Sequence, residues 1–152
     1  MRRRVADERG NAIIEFVFVA VIVMVPLVYL IAAVATVQRN TLAVTDAARD
    51  AGRAFATSDD AGSAAARARV AVRLALGDQG LPNDAELRFV AAAAGCDGPA
   101  VTPRLVPGAE FAVCVSRSVA LPGVPSLLAG RGIRTVGRYV VHVDDFRTVV
   151  TR

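Results

Sequence analysis

Residues 8–38 read ERGNAIIEFVFVAVIVMVPLVYLIAAVATVQ, and between Phe16 and Val37 there is no charged side chain. The stretch from Phe16 to Ala35, at about 1.5 Å per helical residue, reaches about 30 Å, one hydrocarbon thickness. Glu15 stands at the mouth of this run, and Gly10 precedes it by five positions. A carboxylate at the edge of a membrane span is costly without a partner, so Glu15 reads as a functional group. Arg2, Arg3, Arg4 and Arg9 lie before the run, and Arg39 is the only basic residue soon after it. That asymmetry keeps the N-terminus in the cytoplasm and sends the remainder across the membrane. Pro26, in mid-run, predicts a kink of the kind membrane helices tolerate.

Two simpler readings compete for this segment. Ala33-Val34-Ala35 has the form of a signal-peptidase site, but a secretory core is usually shorter and does not begin with a glutamate. A plain uncleaved anchor leaves Gly10, the polar leader and Glu15 without a common explanation.

Beyond the run, residues 38–56 read QRNTLAVTDAARDAGRAFA, rich in helix formers and free of proline. Asp46 with Arg49 and Asp50 with Arg53 have the spacing of opposite-charge helix pairs. Leu42, Ala43, Ala47, Ala51 and Ala54 form a stripe of mostly small residues at helical spacing. One helix from Asn11 to Ala56 is therefore predicted, about 69 Å long. Its aqueous part would pack either on its own domain or against the stems of neighbouring subunits.

RGNAIIEFVFVAVIVMVPLVYL followed by AVTDAARDAGRAFA resembles the TadE-type minor pilins, or pseudopilins, of tight-adherence (Flp) pilus systems, a branch of the type IV filament superfamily. The resemblance covers roughly residues 9–56. It implies that a prepilin peptidase cuts after Gly10, making Asn11 the mature N-terminus. Glu15 then becomes the fifth residue of the mature chain, and Phe16 matches the aromatic that commonly follows that glutamate. It further implies a minor role in priming or supporting a pilus, with the cytoplasmic membrane, the peptidase, sister subunits and the assembly platform as partners. The expected organisation is a leader over residues 1–10, a transmembrane helix over 11–37, a helical stem over 38–57 and an extracytoplasmic domain over 58–152. The competing expectation is a single-pass anchored domain that binds an envelope partner without polymerising.

The domain itself reads as a small α+β module. Ser58-Asp59-Asp60 is a break and a helix N-cap cluster, Ser63 to Leu76 a second helix, and Gly77 and Gly80 its end. Val70 with Leu74 and Val72 with Leu76 make apolar ridges, while Arg67, Arg69 and Arg73 face water. Three strands follow, Glu86–Ala93, Glu110–Val119 and Ile133–Phe146, each alternating. Leu87, Phe89, Phe111, Val113, Val115, Tyr139, Val141 and Val143 fall on inner faces. A three-stranded antiparallel sheet with one apolar face is the predicted fold, and the pilin resemblance implies a stem helix packed against it.

Cys96 and Cys114 are the two cysteines, and both follow the span. An extracytoplasmic location permits a disulfide between them, which a modest core would favour.

Composition narrows the function further. All 18 basic residues are arginine, and the formal charge of +4 falls to +2 without the leader. Such scattered charge does not suit nucleic acid, which calls for a clustered basic face. The one histidine, His142, lies on the polar side of a strand near Asp144 and Asp145. There is no cluster of metal ligands, no phosphate-binding glycine loop and no nucleophile motif. No catalytic residue, metal or cofactor is assigned.

Overall fold

The structure, a computed structural model, describes residues 8–122 and 132–147, with side chains from Ile13 onward. The first seven residues of the expected leader lie outside this set. So do most of the Leu121–Gly132 loop and the last five residues.

Helix α1 runs unbroken from Glu8 to Ala56, 49 residues, or about 74 Å. It continues through Pro26. Its two halves live in different surroundings. From Ile13 to Ile31 nearly every side chain is exposed; from Asn40 onward one side is buried. Ala43, Val44, Ala47, Ala48, Ala51 and Phe55 lose all or nearly all contact with solvent. The small-residue stripe is thus largely consumed in packing on the chain's own domain. Leu42 is the exception, at 64% exposed.

Helix α2, Ala61–Asp78, is set by its ends. The Asp60 carboxylate accepts from the Gly62 and Ser63 amides at 2.9 Å each, satisfying donors a helix start leaves open. These hydrogen bonds, those to Ser63 foremost, lower the Asp60 pKa. At the far end Gly80 takes φ +63°. Its N–H reaches the Gly77 carbonyl at 2.8 Å, and the Leu81 N–H reaches that of Leu76 at 2.9 Å. This is a Schellman closure, in which glycine bears the left-handed conformation.

The strands are β1 (Glu86–Ala91), β2 (Glu110–Val119) and β3 (Ile133–His142), antiparallel in the order β1-β2-β3. β1 and β3 stop earlier than the alternation suggests, at Ala91 and His142. Val143 nevertheless stays fully buried, and its N–H bonds to the Ala109 carbonyl at 2.9 Å. The outer edge of β1 is partly covered through the Val90–Ala100 bridge and the Val101 N–H on the Phe89 carbonyl.

Both helices lie on one face of the sheet, around a core of Phe111, Val113, Val115, Val141 and Val143 from the strands. Phe55 of α1 meets Phe89 and Phe111 at ring distances of 5.3 and 5.0 Å. Burying one such ring contributes roughly 1.5–3 kcal/mol. α1 approaches the sheet most closely at Gly137, where a Cβ would lie 2.1 Å from the Val44 carbonyl oxygen. Strand interiors carry glycine where another backbone comes this near.

The opposite face of the sheet holds a second, smaller cluster. Val90, Ala112 and Cys114 are buried there beneath Ala94 and Cys96.

Candidate functional site

The mouth of the apolar run is built by α1 alone. Gly10 and Asn11 lie within the helical backbone. Glu15 follows Gly10 by about 7.5 Å of helical rise. Glu15 and Phe16 are both exposed, Phe16 by 73%, and no ion pair involves Glu15 among the described residues. The sequence-predicted site is therefore presented outward from a bare helix. A helix apolar around its whole circumference must be covered by lipid or protein. Ile13–Ala56 contains a window long and apolar enough to cross a membrane.

The second half of α1 carries Asp46, Arg49, Asp50 and Arg53 along its exposed side. The predicted Asp46–Arg49 and Asp50–Arg53 pairs do not form; none of these four makes an ion pair among the described residues. Exposed pairs of this kind return at most a few tenths of a kcal/mol against the entropy of holding two long side chains. Four charges on one side of α1 thus stay unpaired among the described residues.

On α2 the two predicted ridges separate. Val72 and Leu76 are buried against the core, whereas Val70 and Leu74 are 42% and 62% exposed. The exposed ridge lines a shallow groove between the helices with Ala54, Thr57, Ala66, Arg67 and Ala71. On the other side of α2 lies a cavity of about 250 Å³, lined by Arg69, Val72, Arg73, Asn83, Ala85 and Leu87.

Cys96 and Cys114 stand at disulfide distance, with Cα atoms 5.7 Å apart. Three arginines fasten the segment that carries Cys96. Arg88 donates to the Cys96 and Gly98 carbonyls at 3.3 and 3.2 Å. Arg134 pairs with Asp97 at 3.0 Å, and Arg138 donates to the Ala92 carbonyl. Arg147 likewise closes the end of α1, donating to the carbonyls of Ala56 and Ser58. Four of the arginines thus tie loops and a helix end to the body of the domain. Sequence reading missed this role because the partners of Arg88, Arg138 and Arg147 are backbone carbonyls, which carry no residue signature.

His142 is exposed, as the alternation implies, and sits between Glu110 at 3.2 Å and Asp145 at 3.3 Å. Hydrogen bonds to Asp145 and then Glu110 raise its pKa. Asp144, two residues beyond the end of β3, instead accepts from the Phe146 amide at 2.8 Å. The arrangement is a surface ion-pair cluster. Among the described residues, no group of three or more His, Cys, Asp or Glu side chains is placed to hold a metal.

Comparison with protein-family models, with curated proteins and with solved structures finds no match to this chain.

Proposed function

We propose that the protein is a minor subunit of a type IV-like pilus system of the TadE kind. It is made as a membrane precursor and cut between Gly10 and Asn11 by a prepilin peptidase. Its apolar helix anchors it in the cytoplasmic membrane, and the α+β domain stands outside. The observation that carries this reading is the single uninterrupted helix α1, whose first half is bare and apolar and whose second half is the backbone of a small folded domain. An anchor joined to its domain by a loose linker has no need of that continuity. A subunit that must transmit its position in a helical bundle to its head does.

Glu15 has a specific role in this account. Cleavage creates an α-amino group at Asn11, four residues before Glu15. An amine and a carboxylate drawn into a packed bundle each carry a desolvation cost that pairing offsets. Glu15 of one subunit would meet the N-terminus of its neighbour and so set their relative height. Glu15→Gln and Glu15→Ala are the test, with membrane insertion, leader removal and co-purification with sister subunits scored separately. Insertion and leader removal should persist, while co-purification falls by about tenfold, the effect of losing one good charge contact. Unchanged co-purification in both variants would reduce Glu15 to a boundary residue.

A further inference from the structure

At one end of the head the fold buries polar atoms and leaves them without partners. Arg117 shares the inner face of β2 with Phe111, Val113 and Val115 and is only 8% exposed. Its Nη2 meets the two Asp84 carboxylate oxygens at 3.1 and 3.2 Å. Its Nε and Nη1 are buried with no hydrogen-bond partner among the described residues. On α1, Asn40 is 4% exposed. Its Nδ2 donates to the Thr36 carbonyl at 2.8 Å, and its Oδ1 is buried without a partner in the same sense. Buried groups left open bear their full desolvation cost, a charged one most of all, so atoms of this kind call for an occupant.

These atoms lie at one height. Gly137 of β3 lies against Val44 of α1, while Tyr139 and Val141 lie against Gly52, so α1 and β3 run in the same direction. One turn back from Val44, about 6 Å, is Asn40. Two residues back from Gly137, about 7 Å, is Thr135, the strand partner of Arg117. Thr135 also donates to the Arg117 carbonyl at 3.3 Å. Asn40 and Arg117 therefore share the end of the head nearest the apolar run. Because α1 is unbroken between the run and the head, depth follows from residue count. Asn40 stands three residues beyond Val37, about 4.5 Å, and the headgroup layer on each side of a bilayer is about 5–7 Å thick. Arg117 is thus level with lipid headgroups.

We infer that the base of the head is a phospholipid site, in which Arg117 holds a headgroup phosphate through Nε and Nη1. Phosphate oxygens give a guanidinium charge-assisted hydrogen bonds, about twice as strong as those to a neutral group. A trapped water would fill the space and offer no charge. Asn40 Oδ1, an acceptor, suits the hydroxyl or ammonium that a headgroup carries beside its phosphate. Both Arg117 nitrogens are shielded from water. The Asp84 side chain, half exposed and bonded to Nη2, marks where the guanidinium comes nearest the surface and where the headgroup enters. Arg39, beside Asn40, donates to the Gln79 carbonyl and is a second cation at this depth. Asp78 and Asp84 keep the base from being a generally basic surface, so recognition falls to one guanidinium and not to a field of charge. The contact needs no second subunit and is independent of the height that Glu15 sets between neighbours.

This inference rests on the membrane-anchor part of the reading above, and the test separates the two. Cells expressing the full-length chain, its arginines labelled with nitrogen-15, are fractionated first. The protein is then extracted and freed of lipid in a detergent that contains no phosphate. Adding phosphatidylglycerol or phosphatidylethanolamine to the micelles should shift the Arg117 Nε resonance, and adding diacylglycerol, which lacks phosphate, should not. Arg117→Gln should weaken phospholipid binding about tenfold, and Arg117→Lys should weaken it less. Retention of the Cys96–Cys114 bridge serves as the folding control, and the wild-type resonance gives an answer that needs no variant. An equal shift with inorganic phosphate at the same concentration overturns the lipid assignment in favour of free phosphate. No shift with any phosphate compound overturns the site and leaves water as its occupant. If either result comes with the chain in the membrane fraction, the anchor reading survives. A wild-type chain found outside the membrane fraction overturns both.

Discussion

Gly137→Ala should force α1 away from the sheet and sharply lower the stability of the head. The added Cβ would lie 2.1 Å from the Val44 carbonyl oxygen, 2.3 Å from its carbonyl carbon and 2.5 Å from the Thr45 nitrogen. These are backbone atoms within a helix and cannot rotate away, so the helix must retreat as a unit. The retreat opens the contacts made by Val44, Ala47, Ala48 and Ala51, all fully buried. Overpacking of this sort costs about 3 kcal/mol or more, against the roughly 5–15 kcal/mol that hold a small domain together. Urea denaturation of detergent-extracted protein should show a midpoint lowered sharply or no folded baseline. Gly52→Ala is the comparison. Its Cβ would meet Tyr139 Cδ1 at 2.6 Å and Val141 Cγ2 at 2.8 Å, side-chain atoms that can shift, so the loss should be smaller. A Gly137→Ala protein as stable as wild type would mean that α1 does not lie on β3 as described.

The second large effect is expected from Cys96→Ala with Cys114→Ala. The bridge joins positions 18 apart in sequence, and closing a loop of this size stabilises by about 3 kcal/mol on a chain-entropy account. The arginine contacts of Arg88, Arg134 and Arg138 remain and hold the loop in the folded state. The loss should therefore appear mainly as a lower denaturation midpoint with little change in native structure. Adding reductant to the wild-type protein should reproduce the shift. Equal midpoints in all three samples would remove the bridge from the energetics of the fold.

Much of this architecture was legible in residue order. The alternation of Phe111, Val113 and Val115 against Cys114 and Ser116 places the inner face of β2 correctly, and the same holds for Tyr139, Val141 and Val143. Such patterns survive because a one-residue slip would turn every side chain to the wrong face. Asp60 as a cap and Gly80 as a stop were also visible, since each meets a local backbone demand. Three things were not legible. The Val70–Leu74 ridge looks as apolar as Val72–Leu76, and only the position of α1 decides which one is buried. The stem charges have the spacing of ion pairs, but exposed side chains gain too little from pairing to be held there. Gly137 carried a signal, a glycine inside a strand with Ile133, Thr135, Val136, Val140 and Val141, without saying which backbone would press against it. The mouth of the apolar run was the most legible part of the candidate site, because Gly10, Glu15 and Phe16 lie on one continuous helix. The Arg69–Arg73–Asn83 cavity was the least legible, because it joins α2 to the segment before β1.

The most direct test of the proposed function is the N-terminus of the mature protein. The chain expressed in a host that carries prepilin peptidase, extracted from membranes and sequenced from its N-terminus, should begin at Asn11. Its intact mass should lack the first ten residues, and Gly10 replaced by a bulky residue should leave the precursor uncut. A chain that keeps its leader, or one that begins at Thr36, would contradict the account.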